Sequence, residues 1–146
     1  MGSFRFDHVS LYVRDLETSA RFYSEVLGLQ EIENKTGKRH IRWFALDEHH
    51  AVHLISGAPE VPASRHHSTH VALSTTRFDE TLKDLAAKGV AYQDLAGGKG
   101  QVQVRGDGVR QTYFQDPDLH WIEINEGDKP ARQPKLIAEP DDAKGG

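Results

Sequence analysis

Two short stretches decide the fold: residues 7–13, which read DHVSLYV, and residues 69–74, which read THVALS. Both alternate side chains in the way of a strand with one buried face. Each is followed by a helical pattern that stops at a glycine, Gly28 in the first case and Gly89 in the second. Because nearly the same separation divides His8 from His70 and Gly28 from Gly89, we predict an internal duplication.

Each half of the chain reads as βαβββ. The helical patterns, 15–28 and 78–89, are each followed by three strand-like stretches, at 29–34, 40–46 and 51–56 and at 90–95, 109–115 and 121–125. We therefore predict an α+β fold in which two tandem βαβββ modules form one cupped, barrel-like mixed sheet with helices outside. The expected bounds are a single domain at 1–126 (module one 4–57, linker 58–66, module two 67–126) and a C-terminal extension at 127–146.

Composition narrows the classes of function. The chain has 146 residues, enough for one ordinary core, and its 18 basic and 22 acidic residues form no basic stripe, so we expect no nucleic-acid partner. No apolar run is long enough to cross a bilayer and residues 1–5 lack a leader-like apolar segment, so we expect a cytoplasmic protein without membrane contact. With no cysteine and nine histidines, any metal must be bound by nitrogen and oxygen.

Strand parity selects the candidate metal ligands. On the first strand His8 shares a face with Ser10 and Tyr12, and His70 opens the equivalent strand of the second half. The last strands of the two halves supply His53 and Glu123. Any one of these residues alone is better interpreted as structural, but equivalent positions of a duplicated unit favour a joint site. The predicted ligands of one divalent ion (Zn, Ni, Fe, Mn or Co) are His8, His53, His70 and Glu123.

Two longer motifs carry a family resemblance. Residues 7–13 with 19–29, and the closing stretch 113–124 (YFQDPDLHWIEI), resemble proteins of the glyoxalase/bleomycin-resistance/extradiol-dioxygenase group, the vicinal oxygen chelate superfamily. The resemblance covers residues 4–126. It implies a paired βαβββ fold, frequent homodimers, and a metal held by three of the residues named above, with His53 at the position of a fourth ligand in glyoxalase I. Leu119 stands where the family's turn has glycine, so we expect strain at a left-handed position.

The resemblance implies a metal-dependent enzyme acting on a small molecule with adjacent oxygen atoms, and we place glyoxalase-like lyase or isomerase chemistry slightly ahead. Glu123 would then be the base that moves a proton. Tyr12 replaces an arginine that commonly contacts glutathione in that family, and His53 replaces a glutamate, which argues against the standard thiol substrate.

An extradiol ring-cleaving dioxygenase is the first alternative. Its iron would be bound by His8, His70 and Glu123, with His53 as an acid/base and Tyr113 in contact with the substrate. That family also has a histidine upstream of the tyrosine, whereas residues 102–112 contain none.

A fosfomycin-type thiol transferase, with Arg105 or Arg110 meeting a phosphonate, and a metabolite-binding resistance protein are the remaining alternatives. Across these interpretations the predicted catalytic residues are Glu123, His53 and Tyr113. The predicted substrate contacts are Tyr12, Ser10 and Arg110.

Overall fold

The computed structural model describes residues 2–127, so the C-terminal extension expected at 127–146 lies outside the described residues apart from Gly127. Module one contains β1 (His8–Val13), α1 (Leu16–Arg21), a π-helical turn (Phe22–Val26), β2 (Gln30–Ile32), β3 (Ile41–Ala45) and β4 (Ala51–Ser56). Module two contains β5 (His70–Ser74), α2 (Phe78–Ala87), β6 (Tyr92–Gln93), β7 (Gln103–Val104), β8 (Arg110–Gln115) and β9 (Trp121–Asn125).

The strands form two mixed sheets. The first has the order β1-β4-β3-β2 and the second β5-β9-β8-β6, with β7 paired to β8. In each sheet the first strand of the module runs parallel to the last, β1 with β4 and β5 with β9. The predicted α+β class and the two βαβββ modules are confirmed, with the two-residue β7 as an addition in module two. Within residues 2–127 the strands do not close into a barrel, because β1 and β5 end their respective sheets without pairing to each other.

The face assignment of β1 is confirmed by its burial. Leu11 and Val13 are buried, whereas His8, Ser10 and Tyr12 on the other face are exposed. Twelve buried side chains from both modules form one hydrophobic cluster: Leu11, Val13, Ala20, Tyr23, Phe44, Val52, Leu54, Phe78, Leu85, Phe114, Ile122 and Ile124. The opposite faces of both sheets carry the four candidate ligands and Tyr113, whereas Arg110 lies on the core side of β8.

The first helix begins where the sequence predicts and then changes type. The Asp15 carboxylate accepts the Thr18 N–H at 2.8 Å and caps α1. After Arg21 the chain continues as a π-helical turn, closed by a bond from the Leu27 N–H to the Phe22 carbonyl at 3.3 Å. Among residues 2–127 no helix has the length and apolar character needed to cross a membrane.

The β3–β4 and β8–β9 turns are built by the same device. Asp47 accepts the N–H groups of His49 and His50 through Oδ1, and its Oδ2 lies 2.7 Å from His50 Nδ1. Asp116 accepts two downstream N–H groups in the same way, and its Oδ2 lies 2.9 Å from His120 Nδ1. Asp47 is exposed, whereas Asp116 is buried.

The β8–β9 turn also joins the two modules. The Tyr23 hydroxyl of module one donates to Asp116 Oδ2 at 2.8 Å. Two residues on, Asp118 accepts the Ser19 hydroxyl at 3.1 Å and the Arg14 N–H at 3.0 Å. Both carboxylates are buried, so these bonds form in a setting where an unpaired charge would be costly. The turn therefore fixes module two against α1.

Candidate functional site

The second sheet brings together three of the predicted site residues. Tyr113 on β8 lies directly opposite Glu123 on β9, so both side chains share one face. The Tyr113 hydroxyl donates to Glu123 Oε2 at 3.0 Å, and His70 Nε2 lies 3.1 Å from the same oxygen. Asn125 Nδ2 donates to the other carboxylate oxygen at 2.8 Å. We call His70, Tyr113 and Glu123 the Glu123 cluster; its carboxylate is only 6% exposed.

The orientation of the His70 ring shows what this cluster can bind. Nδ1 lies 2.8 Å from the His67 carbonyl, which only accepts, so Nδ1 carries the proton. In the neutral ring Nε2 carries a lone pair and lies 3.1 Å from a carboxylate oxygen of Glu123. A positive charge between them, either a proton on Nε2 or a bound cation, would offset the repulsion between two acceptors at this distance. Two neighbouring ligands at about 2.1 Å from one ion and at roughly a right angle are about 3 Å apart, so the pair fits a divalent cation.

The first sheet carries the other two predicted ligands in a stack of three rings. The imidazole of His53 lies between that of His8, at a centroid distance of 3.9 Å and an interplanar angle of 16°, and the indole of Trp43, at 4.1 Å and 1°. Burial, and then the positive charge of His8, lower the pKa of His53, which favours its neutral form. We call these residues the ring stack.

His8 is oriented in the same manner as His70. Its Nδ1 lies 2.5 Å from Asp7 Oδ2, which leaves Nε2 for another partner. A carboxylate or carbonyl on one ring nitrogen is the usual support of a histidine that ligates a metal through the other. Both predicted first-strand histidines therefore have the orientation that a ligand needs.

The structure places the four predicted ligands as two pairs on two sheets. Within residues 2–127, no three His, Asp or Glu side chains are arranged to hold one metal ion. His8 and His53 also cannot share an ion as they stand. An imidazole nitrogen binds a metal in the plane of its ring, at roughly 2.1 Å. The His8 and His53 rings are nearly parallel with their centroids 3.9 Å apart, so no point lies in both ring planes within that distance.

The predicted substrate contacts lie in different places. Ser10 and Tyr12 share the exposed face of β1 with His8, and Tyr12 is 54% exposed. Arg110 lies on the opposite face of β8 from Tyr113, where it pairs with Asp79 at 2.8 Å. Its guanidinium also pairs with Glu126 and covers the Phe78 ring at 4.9 Å. Because the ion pairs of Arg110 join β8 to α2, we leave it out of the proposed site.

Tyr113 is held as a hydrogen-bond donor. Burial, followed by the hydrogen bond to Glu123, raises the pKa of Tyr113 to about 12, so the hydroxyl keeps its proton at neutral pH. Gln111 Nε2 donates to the same hydroxyl oxygen at 2.9 Å. The phenol is therefore fixed from both sides.

Sequence reasoning missed several residues that support the cluster. Gln111 and Asn125 have the strand parity of Tyr113 and Glu123, so alternation alone could have placed them on this face. The contacts of Asp7 and of the His67 carbonyl had no such signal, because local backbone geometry decides them. Trp43 lies on the ring-stack face, and its indole N–H is buried without a hydrogen-bond partner in the described part of the chain.

Two curated proteins are similar to this chain in sequence. A manganese-dependent 2,3-dihydroxybiphenyl 1,2-dioxygenase of Geobacillus genomosp. 3 is 29% identical over 123 residues, covering 82% of this chain but only 36% of that protein. The chain therefore spans about a third of the length of this relative. The uncharacterised protein YwbC of Bacillus subtilis (strain 168) is also 29% identical, over 127 residues, covering 82% of this chain and 95% of YwbC.

Solved structures share the fold. The fosfomycin resistance protein FosX of Mesorhizobium loti superposes with a TM-score of 0.62 at 22% identity, covering 87% of this chain and 94% of its own. A glyoxalase/dioxygenase of Nostoc punctiforme gives 0.68 at 22% identity, covering 83% and 89%. The family model described as Glyoxalase/Bleomycin resistance protein/Dioxygenase superfamily matches residues 5–124. The chain belongs to the glyoxalase/bleomycin resistance protein/dioxygenase superfamily.

Proposed function

We propose that this protein is a divalent-metal-dependent enzyme acting on a small molecule that carries two adjacent oxygen atoms. The observation that carries the proposal is the pairing of His70 Nε2 with Glu123 Oε2 at 3.1 Å, while His70 Nδ1 is occupied by a carbonyl. Nitrogen and oxygen donors of this kind suit Mn, Fe, Co, Ni and Zn. When bound, such an ion polarises the oxygens of a substrate as a Lewis acid.

The third ligand in this proposal is His8 of a second copy of the chain. One chain supplies His70 and Glu123 but places its own His8 on the other sheet. Superfamily members commonly form dimers, and the exposed ring-stack face also carries Tyr12 and Ile32, at 54% and 39% exposure. A homodimer that brings this face onto the Glu123 cluster of the partner would complete two equivalent sites.

Ring cleavage of a catechol is the reaction that the described side chains support best. The Tyr113 hydroxyl keeps its proton, which it donates to Glu123 in this structure, and turning that proton away from Glu123 would let it donate to a substrate oxygen. Both oxygens of Glu123 already accept a hydrogen bond, which suits a fixed ligand better than a group that must exchange protons. His53, kept neutral by burial, can take a proton from a substrate hydroxyl. The manganese-dependent relative is a dioxygenase.

The lyase or isomerase reaction placed first from the sequence is the second candidate. It requires a buried base beside the metal, and Glu123, at 6% exposure, is the carboxylate of this cluster. Its engagement by Tyr113 and Asn125 is the reason why we now place this reaction second.

Elemental analysis of protein purified without chelator or affinity tag tests the metal site. Near-stoichiometric metal is expected in the wild type, and its loss is expected in His8→Ala, His70→Ala and Glu123→Ala. His53→Ala should keep its metal because the stacked ring is not placed as a ligand. His49→Ala, on the exposed β3–β4 turn, is the matched control. Full metal content in His70→Ala would overturn the assignment.

Mixing two defective variants tests the shared site. His8→Ala and His70→Ala protein are unfolded together and refolded at equal amounts, and bound metal is measured. If each site takes His8 from one chain and His70 from the other, mixed dimers regain one intact site, so about a quarter of all sites should bind metal. A site built within one chain predicts no recovery, since every chain then carries a defective site.

A further inference from the structure

Arg105 lies at the end of β7, on the face of the sheet that carries the Glu123 cluster. Its N–H donates to the Val109 carbonyl at 2.8 Å, and its carbonyl accepts the Gly108 N–H at 2.8 Å. The register two residues earlier pairs Gln103 with Gln111. Because side chains alternate along paired strands, Arg105 shares a face with Gln111, and therefore with Tyr113.

The guanidinium of Arg105 is held in place and remains accessible. Asp107 accepts from its Nε at 3.2 Å and from its Nη2 at 2.7 Å. The side chain is still 36% exposed. A guanidinium has five N–H donors, so a bond through two of them leaves others for a ligand.

The charge of Arg105 acts on the Glu123 cluster. The hydrogen bond with Asp107, above all, and the charge of Glu123 raise the pKa of Arg105. The Arg105 guanidinium therefore lies close enough to act electrostatically on the Tyr113 hydroxyl and the Glu123 carboxylate, on which the proposed reaction depends.

We propose that Arg105 binds a carboxylate group of the substrate, so that the enzyme acts on an anionic molecule with two adjacent oxygens. This inference rests on the proposed metal site. Without a metal, the negative charges of Asp107 and Glu123 outweigh the positive charge of Arg105. A bound divalent cation makes the net charge of the site positive, which favours an anionic substrate. A planar carboxylate matches the parallel N–H donors of a guanidinium. Arg105 thereby sets which substrates bind, while the Glu123 cluster and the ring stack face the reacting oxygens.

Two catechols that differ by one carboxylate group test the inference. Binding of catechol and of 3,4-dihydroxybenzoate to manganese-loaded protein is measured by calorimetry without oxygen. The wild type should bind 3,4-dihydroxybenzoate at least about tenfold more tightly than catechol, as expected for a charge-assisted pair. Arg105→Gln should lose this preference, and Arg105→Lys should keep part of it, since lysine retains the charge but not the planar fork.

Arg77→Gln is the matched control, because Arg77 is an exposed arginine paired with Glu80 at the start of α2. It should behave as the wild type. Manganese content is measured in every sample. Equal affinity of the manganese-loaded wild type for both compounds overturns the inference alone, and so does loss of manganese from Arg105→Gln. A wild type that binds no manganese or other divalent metal overturns the proposed function as well.

Discussion

Leu119 is held in a left-handed backbone conformation. Its φ is 64°, the one positive value among the non-glycine residues of 2–127. The turn fixes it from both sides, since its N–H donates to the Asp116 carbonyl and its carbonyl accepts Gln115 Nε2, each at 3.0 Å. The sequence predicted this strain because a leucine stands where related turns have glycine. The strain is tolerated because Asp116 and Asp118, on either side of Pro117, are fixed by buried bonds.

Leu119→Gly should therefore stabilise the protein by about 1 kcal/mol. Removing Cβ relieves the left-handed clash, which costs about 1–2 kcal/mol, and part of this gain is offset by the greater freedom of glycine in the unfolded chain. Urea denaturation at neutral pH measures the change. Leu95→Gly, at a turn position with ordinary φ, should instead destabilise. Equal effects of the two substitutions would contradict the explanation.

Single residues of the candidate site were predictable to the extent that strand alternation decides them. Alternation placed His8 and Tyr12 on the exposed face, and it paired Tyr113 with Glu123. It could not show that His53 would lie between two other rings, since stacking depends on side-chain rotamers. Nor could it show that Arg110 would turn to α2, because the carboxylates that hold it come from other elements.

The first turn of α1 depends on one carboxylate. Asp15 accepts the backbone N–H of Thr18, and this bond, above all, lowers the pKa of Asp15 from its ordinary 3.8. A group whose pKa is lower in the folded state adds stability above its unfolded pKa. That stability is lost as the pH falls through the folded value. The helix should therefore weaken in acid.

Comparison of the wild type with Asp15→Asn and Asp15→Ala tests this pH dependence. Asparagine also caps helices but cannot ionise, so the advantage of the wild type over Asp15→Asn should be present at pH 6 and shrink as the pH drops well below 4. Asp15→Ala should be less stable than Asp15→Asn throughout. Chemical denaturation across this pH range gives the comparison. A constant difference between wild type and Asp15→Asn would rule out ionisation as the cause.

Most helices and strands could be predicted from the sequence, but the π-helical turn and the short strand β7 could not. The predicted helix at 15–28 contains a π-helical turn after Arg21, where apolar periodicity continues unchanged and carries no signal for a wider helix. β7 lies in a glycine-rich loop and has two residues, too few to show an alternation of polar and apolar side chains. Paired strands with several alternating residues, such as β4 and β9, matched the expected bounds because periodicity needs length.

The two modules share one core and should unfold together. Beyond the shared apolar cluster, Tyr23 of module one donates to the buried Asp116 of module two. Tyr23→Phe removes this charge-assisted bond and should cost about 1.5–3 kcal/mol. Tyr92→Phe is the control, since that half-buried residue makes no hydroxyl hydrogen bond among residues 2–127, and it should change stability little.

The two tryptophans allow cooperativity to be measured, because Trp43 lies in module one and Trp121 in module two. Trp43→Phe and Trp121→Phe each leave one reporter of unfolding. In each variant, the urea transition followed by tryptophan fluorescence should coincide with the transition followed by circular dichroism. A fluorescence transition that precedes the loss of helix in either variant would show that the modules unfold separately.

The relative placement of the modules was the part of the fold that sequence could not give. Alternation fixes which face of a strand is buried, but not whether two edge strands pair. The expected single sheet is two sheets, and β1 and β5 are the edges that stay apart. The four candidate ligands are consequently divided, which is why we propose a site completed by a second chain.

The turns at Asp47 and Asp116 show where the two halves of the predicted repeat differ. Both copies keep the same aspartate and histidine device, but only the second was drawn into the interior, where Tyr23 depends on it. The carboxylate at Asp47 should therefore be replaceable at little cost, whereas replacing Asp116 would leave the buried Tyr23 hydroxyl without its acceptor.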